Sequence, residues 1–217
     1  MTTCALCTCT TFITAPDLPV GWVECGCCGL ARNLFFRDLD WTPEVFASHP
    51  DATEQVTAVL ELAERLQVPK TILEIGPGRG DAIPVAEERG WTYLGVEHSP
   101  NALCFGKGNV IMAHFPYDHL HKLVLGSMGV ILCLRTLEHI RPVREAFDRF
   151  GRYLAPGGLL FITTPDRDTA NNAFLSEHHC AFRQSQLDLA AKRCLSIECN
   201  IPRRDPHELM GLWGKLA

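Results

Sequence analysis

No apolar run in the 217-residue chain approaches the ~18 residues of a spanning helix, which argues against a helical membrane protein. The opening MTTCALCTCT has neither a basic start nor an apolar stretch, so no secretory leader is read there. The expectation is a soluble, cytoplasmic protein. A basic stripe is also missing. The net charge is −5, and the pairs Arg141/Arg144, Arg149/Arg152 and Arg203/Arg204 alternate with acids such as Glu145, Asp148 and Asp205. Such spacing reads as solvated faces rather than a track for phosphates, which argues against a nucleic-acid partner. There is no internal repeat and no low-complexity tract. With 47% hydrophobic and 21% charged residues the composition is that of a globular chain, not a disordered one.

Cysteine, by contrast, is abundant and unevenly placed. Six of eleven lie within the first 28 residues: Cys4, Cys7, Cys9, Cys25, Cys27 and Cys28. In a reducing compartment such clustering points to metal rather than to disulfides. Cys4-Ala-Leu-Cys7 and Cys25-Gly-Cys-Cys28 are two C-x2-C pairs with seventeen residues between them, within the zinc range of ~15–20. Each tight turn aims two thiolates at one ion, and two turns close a tetrahedron. Four thiolates leave no open position, so a structural Zn2+ is expected on Cys4, Cys7, Cys25 and Cys28. Cys9 could stand in for Cys7, and Cys27 for Cys25 or Cys28. The segment between the pairs, with Phe12, Ile13, Val20 and Trp22, predicts a short hairpin too small to fold on apolar burial alone.

Residues 30–50 read as a connection. A helix beginning at Asp51 carries Val56, Val59, Leu60, Ala63 and Leu66 at helical spacing. From residue 70 the pattern alternates. Strands are expected at 71–75, 91–96, 110–112, 129–134 and 159–163, with a last one at 195–201. Helices are expected at 81–89, after Ser99-Pro100, at 142–154 and at 184–193. The resulting class is α/β: a mostly parallel, Rossmann-like sheet with helices on both faces, preceded by the metal knob. The division is 1–40 for knob and linker and 41–217 for the sheet domain.

The sharpest motif is Leu73-Glu-Ile-Gly-Pro-Gly-Arg-Gly80, a strand-to-helix crossing where open α/β sheets bind nucleotide-like ligands. Glu97 follows at the end of the next strand, where a carboxylate can take both ribose hydroxyls. A dinucleotide loop would carry its last glycine where Asp81 stands. A carboxylate there opposes a pyrophosphate and tolerates a ligand bearing an ammonium and a sulfonium. Glu74 adds to that preference, so S-adenosylmethionine is favoured over a nicotinamide dinucleotide.

These residues resemble the class I S-adenosylmethionine-dependent methyltransferases. The loop is similar to the family's E-x-G-x-G-x-G segment, and Gly95-Val-Glu-His-Ser-Pro100 to its ribose-acid segment. Leu137-Glu-His-Ile140 followed by Arg152-Tyr-Leu-Ala-Pro-Gly-Gly158 is similar to the small-molecule branch that includes ubiquinone-biosynthesis-like enzymes. Pro165, Glu177-His178 and Phe182 extend that likeness, and the cysteine pairs resemble the zinc ribbon that precedes some members. The resemblance covers roughly 70–195. It implies that Glu74, Gly76, Pro77, Gly78 and Gly80 surround the methionine part, that Glu97 holds the ribose, and that His98 and His114 adjoin the adenine. Two places depart from the family: Ala113-His114-Phe115 where an acid is common, and Ser127-Met-Gly129 before the fourth strand. The tail after 195 is short for the closing antiparallel hairpin, so truncated last strands are expected.

Methyl transfer from a sulfonium is an in-line displacement, helped by a base when the acceptor is a hydroxyl or an acidic carbon. His139, after the fourth strand, is the first candidate. His178 and His179, in a loop after the fifth, are the next. The function implied is methylation of O, N or C on a small-molecule acceptor. Its rivals are an RNA methyltransferase using the ribbon as a substrate module, and a non-catalytic scaffold that keeps the fold. The oligomeric state is not read from the sequence.

Overall fold

A computed structural model describes residues 3–37, 41–118, 120, 123–170, 172–192, 194–195, 197–199 and 207–216. His119, His121, Arg203 and Arg204 lie outside the described residues. The N-terminal part is a small antiparallel sheet of β1 (Phe12–Ile13), β2 (Trp22–Cys25) and β3 (Ala31–Asn33). The predicted hairpin is β1–β2. Two further elements lie in what the sequence suggested was a plain connection: β3, and α1 (Pro43–Ser48). Thr42 caps α1 by accepting from the Val45 N–H at 3.4 Å, with proline at the start of the helix.

The main unit then runs α2 (Thr53–Arg65), β4 (Thr71–Ile75), α3 (Ala82–Glu88), β5 (Thr92–Glu97), β6 (Val110–Met112) and β7 (Met128–Leu134). A 3-10 turn, Leu137–His139, follows. Next come α4 (Val143–Tyr153), β8 (Leu154–Pro165), β9 (Cys180–Ala181), α5 (Gln184–Ala191), β10 (Ile197–Cys199) and β11 (Glu208–Gly214). Seven strands form one sheet in the order β10-β11-β8-β7-β4-β5-β6. The five from β8 to β6 are parallel, and β11 runs antiparallel to β8. The expected α/β class is the observed one.

Each face of the sheet is covered, as apolar strands such as Val130–Cys133 require. Helices α2 and α3 bury Val56, Leu60 and Ile83 against one side. Helices α4 and α5 bury Phe147, Phe150 and Leu187 against the other. The α4 residues Val143, Ala146, Phe147 and Phe150 recur at the spacing of one helix face, and all are fully buried. Cys4, Leu6 and Leu30 join this second cluster, so the small sheet packs into the same core. Strand β9, from the loop after β8, pairs with β3 and extends the small sheet.

Two expectations need correcting. No helix starts at Ser99-Pro100; residues 100–107 are turns. Backbone groups there bond elsewhere: the Ser99 N–H donates to the Glu97 carboxylate and the Cys104 N–H to the Gly78 carbonyl. Gly106, at φ +82°, follows within one turn. The closing hairpin is also present, not truncated. Strand β11 is buried along its whole length and pairs with β8 from Glu208 opposite Pro165 to Gly214 opposite Leu159.

Candidate active site

The glycine loop lies where β4 ends beside β5 and β7, at the carboxyl edge of the sheet. Gly76, Gly78 and Gly80 all have positive φ, +70°, +47° and +79°. At Gly76 the constraint is twofold, because a Cβ would collide with the Thr136 side chain. The loop is tied to β5 by Glu97, which is 2% exposed and accepts from the N–H groups of Gly78 (3.1 Å), His98 (2.8 Å) and Ser99 (2.9 Å). Burial alone would raise its pKa, but the hydrogen bonds from His98, Ser99 and Gly78 outweigh it and hold the carboxyl below its ordinary value.

Glu74 is different. It is buried, accepts a 2.5 Å hydrogen bond from the Tyr93 hydroxyl, and is pushed up to about 7, chiefly by burial. Its charge is therefore not fixed near neutral pH and depends on what approaches it. Asp81 is turned toward Arg79 (3.2 Å) and the Ala52 N–H (3.2 Å), tying the loop to α2. Its charge is partly compensated, which weakens the electrostatic argument drawn from that residue in isolation.

Glu74, Gly76, Pro77, Gly78, Glu97 and His98 line one open cleft of about 830 Å³. The Thr163 hydroxyl also lines it, and is buried without a partner among the described residues. An unpartnered hydroxyl, a loop that lacks Cβ atoms at Gly76 and Gly78, and two carboxylates together fit a polar ligand bearing cationic groups. Gly80 sits behind the loop: a Cβ there would press on Ile83 and Cys104. His114 is exposed and outside the cleft, 5.4 Å between ring centroids from His98.

A second cavity, of about 1120 Å³, adjoins the first. Trp41, His49, Pro50, Arg135 and His139 belong to both walls. Trp41 stands over this boundary, its ring centroid 5.1 Å from that of His139 and 5.3 Å from that of Phe46. Beyond the boundary lie Glu138, His178 and Glu208. The ligand atoms of Glu138, His139 and His178 lie within 4.8 Å of one another, a grouping that could hold a cation or a shared proton.

The histidine tautomers follow from their contacts. His139 Nδ1 lies 3.0 Å from the Glu177 carbonyl and His178 Nδ1 lies 3.1 Å from the Ala173 carbonyl. A carbonyl only accepts, so each Nδ1 carries the proton and each Nε2 offers a lone pair. Burial lowers His139 to about 4 and lowers His178 as well. Burial raises Glu138, which also accepts from Thr164 Oγ1 at 2.9 Å. The structure thus brings together two of the three candidate bases. His179 faces the other way, stacked on Phe36 at 3.4 Å between centroids and lining a separate cavity beside Cys4.

Two contributors, Trp41 and Glu138, were not singled out from sequence, whereas a third, Arg135, reads there as either a binder of an acidic substrate or an ion-pair partner. Trp41 lay in the supposed connection. Glu138 was quoted within Leu137-Glu-His-Ile140 but given no role. Arg135 sits at φ +47°, rare for a side-chain-bearing residue and typical of strained functional positions. Its Nε bonds Glu208 at 2.7 Å, and Gln55 holds the other oxygen of Glu208 at 3.0 Å.

In the N-terminal sheet the Sγ atoms of Cys4, Cys7, Cys25 and Cys28 converge. Cys4 lies 3.7 Å from Cys28 and Cys7 lies 3.5 Å from Cys25. Four sulfurs at 2.3 Å around a tetrahedral zinc are about 3.8 Å apart, so the quartet has the dimensions the metal needs.

Parallel sheet, glycine crossing and paired cavities define the class I S-adenosylmethionine-dependent methyltransferase fold. The chain belongs to the methyltransferase domain family, whose profile matches residues 50–201. It is 24% identical over 163 residues to the ubiquinone biosynthesis O-methyltransferase of Psychrobacter arcticus, across 70% of this chain. It spans 62% of the length of that relative and of its Psychrobacter cryohalolentis counterpart. Similar solved structures include a SAM-dependent methyltransferase from Archaeoglobus fulgidus (TM-score 0.59, 17% identity, 79% of this chain and 97% of that one). Another is a SAM-dependent methyltransferase from Aquifex aeolicus (TM-score 0.60, 13% identity, 79% and 97%). Among the described residues no helix is long and apolar enough to cross a membrane.

Proposed function

We propose that the protein transfers a methyl group from S-adenosylmethionine to a small-molecule acceptor seated in the second cavity. The observation that carries this reading is the meeting of two cavities at His139 and Trp41, one lined by the glycine loop and Glu97, the other by polar, titratable side chains. Oxygen is favoured over nitrogen or carbon as the attacked atom, because a group of proton acceptors serves a hydroxyl best and the curated relatives carry O-methyltransferase names.

In this reading the carboxylate of Glu97 takes the ribose hydroxyls and Glu74 faces the ammonium. The bound cofactor supplies an activated methyl on a sulfonium, leaving as a neutral thioether. The protein's own part is alignment and exclusion of water. Trp41 and Phe46 wall the boundary, and Arg135 is held by Glu208 beside it. His139 offers its Nε2 lone pair to the acceptor hydroxyl. As the oxygen attacks, Nε2 takes that single hydroxyl proton; burial holds the His139 pKa at about 4, and the Glu177 carbonyl and carboxylate favour the imidazolium that forms, with Glu138 and His178 beside it. His139→Asn should lower kcat by roughly 10²-fold or more, the scale of general acid–base effects, and leave S-adenosylmethionine affinity unchanged. We further propose a structural zinc on Cys4, Cys7, Cys25 and Cys28, with the ribbon and linker at 1–40 and the catalytic domain at 41–217.

The test is calorimetry with S-adenosylmethionine, then mass-spectrometric detection of methyl transfer to phenols, amines and a control RNA. Saturable binding with methylation of a phenol supports the proposal. Methylation of RNA alone would replace it with the nucleic-acid reading. No binding by the folded protein would leave a scaffold.

A further inference from the structure

The ribbon contains more sulfur than one zinc uses. Cys9 and Cys27 are not members of the quartet; their Sγ atoms group instead with that of Cys25, all three within 4.8 Å of one another. Cys25 therefore belongs to two sets at once. We propose that the ribbon binds a second thiophilic cation, Zn2+ in the first instance, on Cys9, Cys25 and Cys27, with the Cys25 thiolate bridging the two ions. This rests on the zinc reading of the quartet proposed above.

Backbone geometry supports it. A ligand knuckle is marked by an N–H two residues on that points at the cysteine sulfur. Cys4 has this from Leu6 at 3.5 Å and Cys25 from Cys27 at 3.4 Å. Cys9 has it too, from Thr11 at 3.4 Å. That turn is the one that prepares the quartet's own ligands, and a bystander thiol does not need it. The dimensions also suit. Three sulfurs on one zinc lie about 3.8 Å apart, so the group closes by at most about 1 Å around an ion. Cys27 is exposed and Cys9 partly so, which leaves them freedom to close.

The chemistry balances. Cys25 is already a thiolate in the first site, and sulfur has lone pairs for a second ion. Binding the second Zn2+ displaces one proton each from Cys9 and Cys27. Six thiolates and two Zn2+ leave a net charge of −2, the same as one zinc on four thiolates. The fourth position of the second ion faces solvent, so water or an external thiol completes it. The first ion is closed and the second open, so the second exchanges faster.

The test uses the full chain, reduced and stripped of metal, titrated with Zn2+ and counted by native mass spectrometry. Two ions should bind to the unaltered chain and one to Cys9→Ser/Cys27→Ser. Cys27→Ser alone should weaken only the second step. Cadmium-113 NMR should give two resonances, and the double variant should lose one and shift the other, because Cys25 no longer bridges. Saturation of the unaltered chain at one ion overturns the second site and leaves the quartet standing. Two ions in the double variant also overturn it. No ion in either chain overturns both assignments.

Discussion

The N-terminal sheet and the seven-stranded sheet are held by different forces. The first has strands of two to four residues and gathers a cysteine quartet and a buried ion pair around only a few apolar side chains such as Trp22 and Leu30. The second is stabilised by apolar side chains on both faces, with Phe147, Phe150 and Phe161 fully buried. The two are joined by Arg167, almost wholly buried, from the loop after β8. It donates to the Gly29 carbonyl at 2.9 Å and pairs with Glu24 at 2.5 Å and Asp17 at 3.4 Å. Gln186 of α5 adds a bond to the Cys28 carbonyl. The small sheet thus leans on the large one through these polar contacts as well as through Leu6 and Leu30 in the shared core.

The largest effect should come from the proposed zinc site. Cys4→Ser/Cys7→Ser removes an interaction worth on the order of 10 kcal/mol. Hydrogen-exchange protection should vanish over residues 3–33 and persist in β4–β8, with S-adenosylmethionine affinity preserved. Collapse of both regions together would show that they fold as one. Arg167→Met should cost about 2–3 kcal/mol, since it leaves Glu24 without its main buried partner. Chemical denaturation should then resolve two transitions where the unaltered chain gives one.

On the other side of the comparison, Glu97→Ala should weaken S-adenosylmethionine by about 1.5–3 kcal/mol, the range for hydrogen bonds to a charged group, with metal content unchanged. Calorimetry beside elemental analysis reads both. The smallest effect is a pH slope. Glu74 has its pKa raised to about 7, so the empty cleft holds it protonated below that value. A ligand ammonium favours the ionised form. Affinity should therefore rise as pH goes from 5 to 7 and level off above, and Glu74→Gln should abolish the rise.

The same contrast explains what could be read in advance. Thr71–Ile75 and Val110–Met112 were delimited correctly from short apolar runs. The glycine loop and Glu97 were legible because their chemistry is local, a few residues on adjacent strands. The C-x2-C spacing was legible for the same reason. Strand β11 was not, because Glu208-Leu-Met-Gly-Leu-Trp-Gly214 contains two glycines and no alternation; its burial comes from pairing with β8. The helix expected at Ser99 failed because the strong local start signal lost to hydrogen bonds made to Glu97 and Gly78. Trp41, Glu138 and His178 meet only through the fold, and no spacing in the chain connects them.

Glu208 has a further consequence. It lies beyond the glycine loop, the ribbon and the histidines in the chain, yet its carboxylate holds Arg135, just after β7, and Gln55 of α2 in place beside both cavities. During synthesis the glycine loop, the ribbon and the histidines all emerge before it. The wall they share is completed only when β11 slides in beside β8, so a chain stalled before it holds most of the site's residues without their working arrangement.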